Sequence, residues 1–431
     1  MEMRHGSEAG ERVSCADMPA EPVLTLAAPH GEADQDWLRE RLIELERIER
    51  PSASAGELQA ARWLAGEFRK LGGEARIERE RAHGGYWWPI GIGTALGVAG
   101  GLAGRRPGFR ARLAGALLGA AGAAAIATDF PPRPRYLRKL LPQRETYNVV
   151  CELGDPGAER TVVLVSHHDA ANAGLVFHPG IPDLVSRTGI FRHLDTSPML
   201  MAPVLAGPLL GAAGALAGKR SLATAGALLS AGSTASMVDI GLRSVVPGAN
   251  DNGTAVIALL ELARRFLADP PEGLRLILLS TGSEESFSEG MKGFGERHFP
   301  DLPVSSTFFI NMDTIGSPHL TVLRGEGFLK MFEYPAAALE LADRSAGEEG
   351  IELMENLRIR NGTDGLEALA AGYPVVSICS CTEHKQPANY HWPNDIADNV
   401  NFDTVESGIR LAEAMTRRLS RDWVGRPPSD G

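Results

Sequence analysis

The sequence predicts an α/β protein: a three-layer α/β/α sandwich around a mainly parallel mixed sheet, carrying an inserted apolar four-helix element. Three observations lead there. From about residue 245 onward, short apolar runs alternate with helical stretches, the pattern of strands buried on both faces beneath crossover helices. Two Gly/Ala-rich hairpins, at 86–130 and 197–240, stand outside that alternation. Side chains of metal-binding type follow the apolar runs, at the strand ends where α/β sheets place their ligands.

In chain order, residues 1–34 read as a disordered tail of Glu, Ala, Pro and Gly without periodicity. The α/β domain takes 35–85, 144–170 and 245–425. DWLRERLIELERI sets Trp37, Leu38, Leu42, Leu45 and Ile48 on one helical face. A second helix is capped near Ser54 and stops at Gly72-Gly73. EARIERE alternates as a strand, and YNVVCEL and TVVLVSH are apolar strands. Then come a helix at GTAVIALLELARRFL, strands at LRLILLST and SSTFFINMD, helices at YPAAALELADRSA and GLEALAAG, a strand at PVVSICS, and a closing helix at VESGIRLAEAMTRRL.

At 431 residues the chain can bury a substantial core. A net charge of −11 with no long basic face argues against nucleic acid as a partner. Cys15, Cys151, Cys379 and Cys381 are too few and too irregular for a disulfide framework. The first thirty residues hold no apolar stretch of signal-peptide type.

Five segments carry the chemistry. In LVSHHDA, His167 can bind zinc and Asp169, two positions on in extended chain, can orient it, while His168 points the other way. In PGANDNG, Asp251 stands at a helix start, where it could cap the helix or bridge two cations. In STGSEES, Glu284 and Glu285 repel each other unless a cation is near; one can be a ligand and the other a proton acceptor. NMDTIG supplies Asp313, and NYHWPND supplies His391 with Tyr390 beside it and Asp395 beyond. Each has an ordinary structural alternative on its own. Together, two His, three acidic ligands and a spare Glu match two four-coordinate zinc ions sharing a bridging Asp and a water.

The order His-x-Asp, Asp-Asn-Gly, Glu-Glu, Asn-x-Asp-x-x-Gly and Tyr-His-x-Pro-x-Asp resembles the co-catalytic zinc exopeptidases of metallopeptidase family 28, which are aminopeptidase-like and glutamate-carboxypeptidase-like enzymes. The resemblance spans about 35–83, 144–170 and 245–420 and leaves out both apolar hairpins. It implies Zn2+, two ions per chain: His167 and Asp313 on one, Glu285 and His391 on the other, Asp251 bridging. It also implies Glu284 as general base, Asp169 as the orienter of His167, Tyr390 as an oxyanion donor, and peptide as substrate. One position departs. Relatives usually carry His after the Asp of Ser-Asp-His, whereas GTDGLEAL has Gly365 there, which puts details of the substrate pocket in question.

The four apolar runs hold about 16–20 residues each, near the lower limit for crossing a bilayer. Small-xxx-small pairs such as Gly97/Gly101 and Gly115/Gly119, Trp87-Trp88 at the first hairpin's mouth, and purely basic tips favour insertion into lipid through 86–128 and 199–238. The alternative is a soluble lid of buried Ala/Gly helices. By the positive-inside rule the basic tips are cytoplasmic and the catalytic domain external. The expected function is thus membrane-associated, zinc-dependent hydrolysis of peptide bonds. A glutaminyl-cyclase-like acyl transferase and an inactive peptidase-like scaffold are the competing readings.

Overall fold

The computed structural model describes residues 33–186 and 195–424, so the predicted tail lies almost wholly outside the described residues. Helices α1 (Gln35–Glu46) and α2 (Ala55–Lys70) lead into strand β1 (Glu74–Ala82). Asp34 caps α1, and the predicted Ser54 caps α2 by accepting from the Glu57 backbone N–H. Helices α3 (Trp87–Gly104) and α4 (Phe109–Asp129) come next, then β2 (Arg144–Gly154), β3 (Arg160–His167) and the short α5 (Gly180–Ser186). After α6 (Ala202–Ala217) and α7 (Arg220–Leu242) the alternation resumes. It runs α8 (Thr254–Ala268), β4 (Leu274–Thr281), α9 (Glu289–His298), β5 (Thr307–Asp313), β6 (His319–Val322), β7 (Gly325–Glu326), β8 (Phe332–Glu333), α10 (Ala336–Glu349), β9 (Arg358–Ile359), α11 (Gly365–Ala370), β10 (Val375–Cys381) and α12 (Phe402–Arg421).

Seven strands form one sheet in the order β1-β2-β4-β3-β5-β10-β6. The centre, β4-β3-β5-β10, is parallel, while β1, β2 and β6 pair antiparallel at its margins. Strand β2 carries a buried apolar segment, Val149-Val150-Cys151, like those of the parallel strands, so its direction could not be read from hydropathy. The pleat divides the core. Val162 and Leu164 of β3, with Leu276 and Leu278 of β4, face α1, α2, α8, α10 and α12. Val163, Val165, Ile277 and Leu279 face the side covered by Met291 and Phe294 of α9 and Ala368 of α11. That is the expected three-layer sandwich.

Register places the site. His167 stands opposite Thr281, and Cys379 opposite Asp313, so the C-terminal ends of β3, β4, β5 and β10 open on one edge.

Helices α3, α4, α6 and α7 pack against one another, and glycine makes the close approach possible. A Cβ on Gly100 of α3 would come 2.7 Å from the Gly119 backbone N and 2.8 Å from the Gly115 carbonyl oxygen of α4. Large apolar side chains point outward instead: Leu117, Leu209, Leu216 and Leu228 are each at least half exposed. Helix α4 is the one described helix long and apolar enough to cross a membrane by length and composition, whereas α6 has only 16 residues.

These helices are fastened to the α/β domain by a buried ion cluster. Arg138 bonds both carboxylate oxygens of Asp129 at the end of α4, donates to the Ser286 carbonyl, and lies 3.0 Å from Glu289. Arg138→Ala would strand two buried carboxylates, so unfolding free energy should drop by about 3–5 kcal/mol in denaturant titration. A loss below about 0.5 kcal/mol would show that the cluster contributes nothing measurable.

Candidate active site

The predicted ligands converge at the sheet edge. His167 ends β3; Glu284 and Glu285 follow β4; Asp313 ends β5. Asp251 and His391 arrive on loops. All are buried except Glu284, which is half-buried. Asp251 does not cap a helix: α8 begins only at Thr254, and its carboxylate stands between two imidazoles. His167 Nε2 lies 3.4 Å from Asp251 Oδ1, and His391 Nε2 lies 3.3 Å from Asp251 Oδ2. On one side, Asp313 Oδ2 is 4.0 Å and Glu284 Oε2 3.8 Å from His167 Nε2. On the other, Glu285 Oε2 is 3.1 Å from His391 Nε2.

Three donor sets are therefore close enough to hold a cation: His167/Asp251/Asp313, His167/Glu284/Glu285 and Asp251/Glu285/His391. The first and third share Asp251 through its two oxygens. His167 Nε2 and Glu285 Oε1 are buried with no hydrogen-bond partner, as atoms reserved for a metal would be. The donors, imidazole nitrogen and carboxylate oxygen, suit zinc.

Electrostatics agree. Burial, reinforced by Asp251 and Asp364, pushes Asp313 up to about 8. Burial, with Asp364, Asp313 and Glu285 adding repulsion, holds Glu284 well above the ordinary carboxylate range, and Glu285 is raised by burial and Asp251. Burial alone would lower both histidines of the cluster, yet the surrounding carboxylates raise His167 and carry His391 to about 10. Asp251 moves the opposite way: burial is outweighed by the two imidazoles, which hold it low. Divalent cations would relieve this cluster of like charges.

Supporting residues fix the ligands. Asp169 Oδ1 lies 3.4 Å from His167 Nδ1, and Asp169 also accepts the backbone N–H groups of Glu284 (3.0 Å) and Glu285 (3.1 Å). Ser52 donates to its other oxygen at 2.6 Å. Asp395 accepts the N–H groups of Asn250 and Asp251, and Arg50 donates to the carbonyls of Pro247 and Gly248. Asn252 accepts from Thr314 N–H and donates to the Met312 carbonyl, clamping the Asp251 loop to the end of β5. Ser283, Phe287, Ser288, Thr314 and His391 all adopt left-handed backbone without being glycine, each roughly 1–3 kcal/mol of local strain gathered around the site.

Ser52, Arg50 and Glu57 escaped sequence reasoning. Glu57 accepts from Ala53 N–H, Thr146 and Ser283, so it braces the turn before Glu284. Its capping-box spacing from Ser54 is the one signal that could have singled it out. His168 is, as expected, turned away: it pairs with Ser280 Oγ, and burial pushes it down to about 4, so it is neutral.

Tyr390 stacks on His391, with ring centroids 3.8 Å apart, and lines the same cavity as Glu284. The departure at Gly365 also has a physical reason. A Cβ there would lie 2.6 Å from Ser377 Oγ and 3.3 Å from the Tyr334 hydroxyl. Tyr334, Glu326, Thr363 and Ser377, joined by hydrogen bonds, fill the space a histidine would need. The preceding Asp364 remains, bonded to Thr281 and raised to about 7 by burial.

Residues 233–415 match the sequence model of peptidase family M28. No curated protein sequence matches the chain. Among solved structures, an aminopeptidase from Aneurinibacillus sp. strain AM-1 superposes with a TM-score of 0.53 at 13% identity, covering 90% of this chain and 94% of that one. A Zn-dependent exopeptidase from Parabacteroides distasonis gives 0.52 at 14% identity, covering 91% and 99%. An Acidobacteriales bacterium glutaminyl cyclase gives 0.52 at 13%, covering 93% and 99%. These are likenesses of fold, and they include both the expected hydrolases and the competing cyclase. The matched segment runs from α7 to α12 and carries Asp251, Glu284, Glu285, Asp313 and His391, so this part of the chain is similar to peptidase family M28.

Proposed function

We propose that this chain is a two-zinc, aminopeptidase-like exopeptidase whose four apolar helices sit in a bilayer. One observation carries the two-metal reading: Asp251 presents one oxygen toward His167 and the other toward His391, with a further carboxylate beside each imidazole. In this assignment His167 and Asp313 would hold one ion, Glu285 and His391 the other, and Asp251 would be shared between them.

When bound, the ions would supply Lewis acidity to a water and to the scissile carbonyl. The chain's own groups do the rest. Glu284 faces His167 across the cluster and takes the water proton, then returns it to the departing amine. Tyr390 keeps its proton, because burial and the neighbouring carboxylates raise its pKa, so its hydroxyl can donate to the developing oxyanion. Asp169 holds the imidazole of His167 and the backbone of Glu284 and Glu285 in one arrangement.

Membrane association is supported by the outward leucines and by the basic tips, where Arg105, Arg106, Arg110, Arg112, Lys219 and Arg220 cluster away from the site. The tips would face the cytoplasm, and the catalytic domain the opposite side. Two experiments test the proposal. Purified protein should cleave amino-acid anilides but not N-terminally blocked peptides, and lose this activity on chelation. Equal cleavage of blocked peptides would reject the aminopeptidase reading. The protein should also stay with membranes through a carbonate wash and leave only in detergent; release by carbonate would reject insertion.

A further inference from the structure

A cavity of about 370 Å³ joins the metal-ligand cluster to the apolar helices. Its inner end touches Asp251, Glu284, Glu285, Asp313 and His391. Tyr86, Phe177, Phe287 and Phe328 form an aromatic collar, with Tyr86 stacked on Phe287 at 4.7 Å. Beyond it, Met201 just before α6 and Pro203 and Val204 within it line the cavity with Leu228, Leu229 and Met237 of α7. Polar lining, such as Arg360, Asn361 and Gln386, comes from the α/β domain.

From Leu228 to Ile240 the wall follows α7 for about 18 Å, beyond the reach of any single side chain. Leu228 is 69% exposed, so the cavity reaches the outer face of the helices. The α7 wall has few polar groups to offer a ligand. Its backbone is bonded within the helix, and the hydroxyls of Ser233 and Ser236 donate to the Leu229 and Gly232 carbonyls. A peptide backbone laid along that wall would lose its hydrogen bonds to water without replacement, and a hydrocarbon chain has none to lose.

We infer that the substrates of this site are amides bearing a long unbranched hydrocarbon arm, which lies along α7 while the amide sits at the ligand cluster. The inference rests on the hydrolase reading above. Water adds to the amide carbonyl carbon, the C–N bond breaks, and the amine leaves with the proton passed on by Glu284, giving a carboxylic acid and an amine, one of which carries the arm.

The test uses the full-length, zinc-loaded protein in detergent and two series sharing one amino acid, leucine n-alkylamides and N-acylleucines. In each, the chain grows from about two to about twelve carbons, every buried methylene being worth roughly fourfold. In one series kcat/KM should rise at least tenfold. Flat profiles in both, with the short members cleaved, would overturn the inference and leave the hydrolase reading intact. Were no amide cleaved at any length, the hydrolase reading would fail instead, and binding to Glu284→Gln protein by calorimetry would decide the inference. Tighter binding of the twelve-carbon members than of the two-carbon members supports it; equal affinity overturns it. Gly232→Leu adds a location test. A Cβ at Gly232 meets nothing within 4 Å, so the variant can fold with its side chain in the cavity. It should flatten the chain-length dependence, and an undiminished dependence would place the arm elsewhere.

Discussion

Replacing Glu284 by Gln should lower turnover by roughly 10²–10⁴ while zinc stays bound. The amide keeps the shape of the carboxylate but cannot accept the water's proton. The geometry separates this residue from its neighbour: Glu285 lies 3.1 Å from His391, whereas Glu284 stands 3.8 Å from His167 with its other oxygen toward Ser288. Burial and three nearby carboxyl groups favour protonation of Glu284, as befits a group that takes up a proton during the reaction. The matching Glu285→Gln variant should instead lose metal. If turnover in Glu284→Gln protein stays within about threefold of the parent, the base lies elsewhere.

Asp251→Ala should be still more damaging, because two of the three donor sets contain this carboxylate. Both ions should bind far more weakly and activity should vanish, with metal content read on protein desalted at neutral pH. Retention of full metal content would remove Asp251 as the bridge. Metal binding should also depend on pH with a definite sign. Without a metal, burial and neighbouring carboxylates raise Asp313 to about 8, and the surrounding carboxylates carry His391 to about 10, so both hold protons at neutral pH that a cation must displace. Zinc affinity should therefore climb between about pH 6 and 8, with measurable proton release. A flat or falling affinity would contradict that arrangement.

Much of this site could be read in the sequence because its signals are local. Apolar runs marked β3, β4 and β5, and the first polar residues after them are the ones the register aligns at one edge. The small residues of α3 and α4 likewise announced close helix packing, which Gly100 and Gly119 show. What escaped depends on the fold. Nothing near Ser52 or Arg50 shows that Asp169 and the Pro247–Gly248 turn will stand beside them, more than a hundred residues away. Helix α9 is short and carries three glycines, and β7, β8 and β9 have two residues each, too few to show a period. The antiparallel direction of β2 depends on which edge the chain re-enters after α4, and no local pattern records that.

The most direct test of the two-metal account is zinc content measured by elemental analysis on the same preparation whose amidase activity is assayed. Two zinc ions per chain in active protein, with activity lost on chelation and restored as the second equivalent is added back, is the predicted result. Full activity with one ion per chain or none would contradict it.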